Sequence, residues 1–204
     1  MLVIGGDLTD LGQPDQAEAL LEILDDCPIP VVATLGNHDH ESGEAAEVSR
    51  LFVKSGVHLL DRSSVVIDGV GFSGVKGFCG GFDYTLANAF GEDLFKNWVN
   101  EGLMEAQALG NELRRLVTER RVAVLHYSPI RATVEGEPPE IHAFLGTSHL
   151  ARALDEGGAD IAFHGHAHSG SFQGKTQGGV PVFNVSVPVL QSEGFEQAYY
   201  IFEI

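Results

Sequence analysis

Four times in this chain a short apolar run stops abruptly at polar side chains of the kind that hold metals and move protons. "MLVIGGDLTD" puts Asp7 and Asp10 behind the run at 1–6, and "PVVATLGNHDH" puts Asn37, His38, Asp39 and His40 behind the run at 30–35. "RVAVLHYS" ends the run at 121–127 with His126, and "ADIAFHGHAHSG" ends the run at 159–166 with His164, His166 and, just beyond, His168. Apolar runs of four to eight residues bounded by glycine read as buried strands. Buried strands separated by helical stretches read as an α/β fold, in which ligands gather at the carboxyl ends of the strands. The four polar clusters are therefore expected to converge.

The stretches between them support that reading. "PDQAEALLEILDD" at 14–26 predicts a helix, with Pro14 at its first position and Ala17, Leu20, Leu21 and Leu24 in one stripe. A second helix is expected at 43–56, a hairpin at 63–75 turning on Asp68-Gly69, a long helix at about 92–119 and another at 148–158. The tail, "GSFQGKT", "VPVFNVSV" and "QAYYIFEI", reads as strands and turns. A glycine-rich loop at 76–84 and an aperiodic stretch at 128–147 remain; loops of that length in a compact domain usually serve function. The 204 residues, 44% of them apolar, suit one domain spanning 1–204 with a proper core.

Composition excludes several classes of function. Against 12 basic residues stand 29 acidic ones, a net charge of -17, which disfavours long nucleic acid and anionic membranes as partners. No apolar run approaches the roughly 20 residues of a membrane span. Cys27 and Cys79 have no C-x-x-C spacing, and "MLVIGGDLTD" has no basic leader, so a reducing, cytoplasmic setting is expected. A dinucleotide-binding fold lacks its G-x-G-x-x-G after the first strand.

The donor types point to a metal. Aspartate, asparagine and histidine without thiolate suit Mn, Fe, Zn or Mg, and a carboxylate can bridge two ions about 3.5–4 Å apart that clamp a phosphoryl transfer. Taken singly, each motif has a plainer explanation. "GD" is turn chemistry, His126 alone suits a core histidine, and only "GHAH" adds geometry, since positions i and i+2 of an extended chain face one way. Asp10 reads as a turn cap, His40 as a loop residue, and His164 as bonded to backbone beneath the site. Lys76 and Arg131 read equally as phosphate holders or as solvated surface charges.

In this order, "GDLTD", "GNHD", "LHYSP" and "GHAH" resemble the calcineurin-like metallophosphoesterase family, over residues 5 to about 190. The resemblance implies a four-layer α/β/β/α sandwich with two divalent ions at the strand ends. It implies that Asp7 bridges them, that Asn37, His126 and His166 complete one shell, and that His168 ligates the other ion. It makes His38 the acid that assists the leaving oxygen, with Asp39 orienting it. The activity implied is hydrolysis of small phosphate esters, mono or di, by a metal-bound hydroxide. One family motif, D-x-H at the end of an earlier strand, has no counterpart, since only "MLVI" precedes "GGDLTD". The fold is thus expected to miss its first strand and helix. With Asp7 and His168 alone for the second ion, one ion is expected in this chain where the full family site holds two. An upstream reading frame, or a homo-oligomer covering the gap, would supply the missing part. The alternative is a catalytically impaired or non-catalytic interaction module of the same fold, against which the presence of Asn37 and His38 counts.

Overall fold

The computed structural model covers residues 1–204. Strand and helix alternate at the start: β1 (Leu2–Gly5), α1 (Pro14–Leu24), β2 (Val31–Thr34), α2 (Ala45–Lys54) and β3 (His58–Leu59). The three strands pair in parallel in the order β1-β2-β3. Their outer face is covered by α1 and α2, where Ala17, Val48 and Phe52 bury against Val31, Ala33 and Leu35.

A hairpin follows, β4 (Ser63–Ile67) and β5 (Val70–Val75), turning on Asp68 and Gly69 at φ 50° and 82°. Both angles are left-handed, as the Asp-Gly pair predicts for a type I′ turn. Next come α3 (Asp93–Arg115), β6 (Arg120–Leu125), α4 (His142–Leu145), α5 (Ser148–Gly157) and β7 (Ile161–His164). The chain finishes with β8 (Gln173–Lys175), β9 (Pro181–Asn184) and α6 (Val187–Ser192). Six strands form the second sheet in the order β4-β5-β6-β7-β9-β8, with β5, β6, β7 and β9 mutually parallel.

The alternation along β6 explains the layering. Ala123 and Leu125 face one way, into a core with Leu109 and Leu113 of α3 and Leu150 and Leu154 of α5. Val122 and Val124 face the other way and meet Val32 of the first sheet and Leu60 just past β3, together with Phe72, Ile161 and Phe183. Helices, sheet, sheet, helices: the expected α/β/β/α sandwich is what forms. The carboxyl ends of β1 and β6 abut. A Cβ added to Gly5 would lie 3.2 Å from the Leu125 carbonyl and 3.3 Å from the Gly165 nitrogen, so nothing larger than glycine fits this seam without a shift.

Some expectations need correction. β3 was not foreseen; two residues carry no period. The tail "QAYYIFEI" forms no strand: it has no ladder partner and settles by ring packing, with Tyr200 against Phe172 and Phe183. "VPVFNVSV" does not run through as one strand. β9 stops at Asn184, whose amide donates to the Ala167 carbonyl at 2.7 Å, and Pro188 in the first turn starts α6. The aperiodic 128–147 stretch is not a bare loop, since it holds short 3-10 turns at Arg131–Val134 and Pro139–Ile141 besides α4. No helix is long and apolar enough to cross a membrane.

Candidate active site

At the seam between the sheets, the tautomer of one histidine decides what the site can hold. His126 Nδ1 lies 2.9 Å from the Gly5 carbonyl, which can only accept, so Nδ1 carries the proton. Burial, with the neighbouring His166 second, holds the pKa of His126 well below the usual histidine value, so the ring is neutral and Nε2 is a bare lone pair. That lone pair faces the Asn37 Oδ1 at 2.8 Å and the Asp7 Oδ1 at 3.3 Å. Three acceptors thus meet with no proton between them. Turning the Asn37 amide would relieve one pair and leave Asp7 unrelieved. A carboxylate, an amide oxygen and an imidazole form a donor set that fits a borderline or hard divalent cation. No three His, Cys, Asp or Glu side chains gather into a metal-holding group; the third donor here is the amide of Asn37.

The backbone is bent to make this meeting. Asp7 is left-handed at φ 53°, and a Cβ on Gly36 would run into its carboxylate. Burial raises the pKa of Asp7, against which the His38 N–H donates to Oδ1 at 3.1 Å. His166 is also left-handed, at φ 66°, two residues past the end of β7. The expected extended run through His166 and His168 is therefore not present: the left-handed residue breaks the alternation. His166 comes to rest half-buried, its ring 4.8 Å from that of His126 and 4.3 Å from that of Tyr127. Its Nε2 lies 3.2 Å from the Phe144 carbonyl and so is the donor, leaving Nδ1 as its lone pair. Burial pulls its pKa down to about 4. His168 is exposed, near enough to Asp7 to favour the ionised carboxylate.

His38 and Asp39 do not form the pair that the sequence suggests. The His38 Nδ1 donates to the Asp10 carbonyl at 2.7 Å, and that bond, foremost, raises its pKa; the Asp7 and Asp10 carboxylates add to it. Its side chain stays 44% exposed, with Nε2 free. Asp39 is fully buried and turned away, accepting from the N–H groups of Leu8 (3.1 Å), Thr9 (2.8 Å) and Gly36 (2.7 Å) and from the Thr9 hydroxyl (2.7 Å). It laces the loop after β1 to the loop after β2, while the carbonyl of Asp10 does the orienting. His164 is fully buried beneath the site, with Nδ1 2.8 Å from the Gly165 carbonyl and Nε2 2.8 Å from the Thr133 hydroxyl.

The model of the calcineurin-like phosphoesterase family matches residues 1–170. The chain belongs to this family. Its members use divalent metal ions and act on phosphate esters. No curated protein matches the chain. Among solved structures it is similar to the phosphopantetheinyl hydrolase of Mycobacterium tuberculosis, 16% identical at a TM-score of 0.69, over 97% of this chain and 83% of that one. It is also similar to a putative 5'-nucleotidase of Staphylococcus aureus crystallised with alpha-ketoglutarate, 15% identical at 0.53, over 89% of this chain and 38% of that one. TT1561 of Thermus thermophilus is 14% identical at 0.50, over 91% and 76%. Of a further neighbour, 16% identical at 0.57, the chain spans 63% of the length. At such identities the likeness is one of fold.

Beside the candidate centre, Tyr127 escaped the sequence reading and the setting of Lys76 settles between the two readings the sequence left open. Tyr127 was legible only as the residue after His126, yet its ring backs both His126 and His166. Lys76 is not a solvated charge. Its ammonium donates to the Gly77 carbonyl at 3.0 Å and lies over the rings of Phe78 and Tyr127, at 4.9 and 5.2 Å, and burial lowers its pKa. With His40, Thr34, Arg62, Glu101 and Glu105 it lines a cavity of about 220 Å³.

Proposed function

We propose that this phosphoesterase hydrolyses small phosphate esters at the seam where Asp7, Asn37, His126 and His166 meet. The observation that carries the reading is the convergence of three unshared lone pairs on His126 Nε2, Asn37 and Asp7, with the tautomer fixed by Gly5. The names of the neighbours, a phosphopantetheinyl hydrolase and a 5'-nucleotidase, support it as members of one fold acting on phosphate esters. Asp7, Asn37 and His126 would hold one Mn, Fe or Zn ion with His166 alongside; Asp7 and His168 give a second ion only two protein ligands. A divalent ion supplies charge stabilisation for phosphoryl oxygens and a lowered water pKa.

The chain's own residues do the rest. His38, held through Nδ1 by the Asp10 carbonyl, presents Nε2–H outward and donates that proton to the departing ester oxygen. Its backbone N–H holds Asp7, so the acid and the ligand move together. Monoesters and diesters both suit this arrangement, and the net charge of -17 favours small substrates over polyanions. The test is calorimetric titration of Mn2+ into metal-stripped wild type, Asn37→Ala and His126→Ala, with circular dichroism as the check on folding. Wild type should bind about one ion tightly, and each variant should lose at least roughly 10-fold in affinity. Variants that fold and bind as wild type would sink the assignment. Metal binding without turnover of any nitrophenyl phosphate ester would leave the non-catalytic alternative standing.

A further inference from the structure

A buried carboxylate on α3 grips the backbone that carries His126. Glu105 is 2% exposed, on the same helix as the buried Ala106, Leu109 and Leu113. Its Oε1 accepts from the Arg62 guanidinium at 2.7 Å, and its Oε2 accepts from the Gly77 N–H at 2.8 Å. That N–H belongs to the peptide group joining Lys76 to Gly77. At the other end of the same peptide, the Lys76 carbonyl accepts from two successive amides, those of His126 at 3.1 Å and Tyr127 at 3.0 Å. The β5–β6 ladder keeps its register as far as Val75 and Leu125. Beyond it one residue faces two, so the ladder ends in a bulge, a device that re-aims side chains beside sites. The side chain on this bulge is the one whose Nδ1 reaches the Gly5 carbonyl and whose Nε2 faces Asn37.

We propose that Glu105 is a positioning residue for the candidate metal centre, acting on His126 through the 76–77 peptide. The proposal rests on the reading above that His126 Nε2 is a ligand. Two backbone features serve the grip. Gly77 is left-handed at φ 79°, where a Cβ would lie 3.0 Å from Leu150 and 3.2 Å from Tyr127. Arg62, in the turn between β3 and β4, is left-handed at φ 50° and pairs with both Glu105 and Glu101. A leucine at 105 would extend the apolar face of α3 without the desolvation of an ion pair. What leucine cannot do is accept the Gly77 N–H. A carboxylate on that N–H also polarises the peptide, which strengthens the Lys76 carbonyl as acceptor for the His126 amide.

The test separates the acceptor from the ion pair. The double variant Arg62→Met/Glu105→Leu replaces the pair with apolar side chains of similar volume, a change that often preserves stability. Arg62→Met alone leaves Glu105 on Gly77. The metal-free proteins are compared by heteronuclear NMR of the histidine rings and then titrated calorimetrically with Mn2+, with urea unfolding as the check on stability. In the double variant the Nδ1–H signal of His126 should be lost to exchange with water, and Mn2+ affinity should fall roughly 10-fold or more. Arg62→Met should keep both. A double variant that folds with the Nδ1–H signal and Mn2+ affinity of wild type overturns the proposal. So does an equal loss in Arg62→Met, which would give the role to the ion pair. If the variants do not fold, amide exchange in wild type decides: the Gly77 N–H should be as protected as that of His126, and exchange at the rate of an open loop overturns the proposal. A wild type that binds no Mn2+ fails the metal reading alone, because the Nδ1–H signal still reports on Glu105.

Discussion

Replacing Asp39 separates a structural carboxylate from a catalytic one. Its two oxygens accept four hydrogen bonds in a place with no solvent: Oδ1 from the Thr9 N–H and hydroxyl, Oδ2 from the N–H groups of Leu8 and Gly36. Asp39→Ala leaves three backbone N–H groups without an acceptor. Each buried orphan costs about 1–3 kcal/mol, and because such losses are not additive the total should be about 3–6 kcal/mol. For a chain of this length that lowers Tm by roughly 10–20 °C. Asp39→Asn keeps one oxygen, but each carboxylate oxygen serves a backbone N–H, so the new NH2 must face at least one donor; about 2–4 kcal/mol is expected. Urea unfolding gives the free energies, and turnover of an alkyl and a nitrophenyl ester gives the chemistry. Both esters should lose rate together, in proportion to lost site geometry. If Asp39→Asn keeps its stability and instead slows the alkyl ester selectively, Asp39 is acting through His38 and its assignment as a loop tether is wrong.

His38→Ala should lower kcat for alkyl phosphates by roughly 10²–10⁴ with manganese content unchanged, and less for nitrophenyl esters, which need little protonation; equal losses would remove His38 as the acid. Gly36→Ala places a Cβ inside the Asp7 carboxylate, so calorimetry should show Mn2+ affinity falling by roughly 10–100-fold, and an unchanged affinity would mean the carboxylate can shift without consequence. Burial, and then the charge of Arg152, lowers the pKa of His149 below 6.5. The folded state therefore disfavours its protonation: its contribution is complete above pH 6.5 and fades as pH falls through the folded value. His149→Gln should flatten unfolding free energy against pH between about 7 and 5, and an unaltered slope would assign the slope to other groups.

What the sequence displayed best was whatever repeats or sits at a fixed offset. The β6 alternation, the Asp-Gly turn and the four strand ends were legible because a period of two and a left-handed turn each constrain residue type. The role of Asp39 was not legible, because its partners are mostly backbone N–H groups, which nearly every residue owns. The "GHAH" geometry misled because alternation holds only while the strand lasts, and the strand ends at His164. The tail misled for the opposite reason: "YYIFEI" has the composition of a strand but finds aromatic side chains to lie on rather than a backbone edge. Lys76 lies over the ring of Phe78, two residues on in the same loop, and over that of Tyr127 from the end of β6, and no local pattern announces the second contact.

Asp7 and His166 both hold left-handed backbone in order to bring their side chains to the seam. A non-glycine residue in that region costs of order 1–3 kcal/mol. Glycine at either position would relax the chain, so part of the fold's stability is given up to shape the proposed site. Under selection for thermal endurance alone, these two positions would be among the first to drift, and libraries screened only by melting temperature should return stable, inert proteins with glycine at 7 and 166.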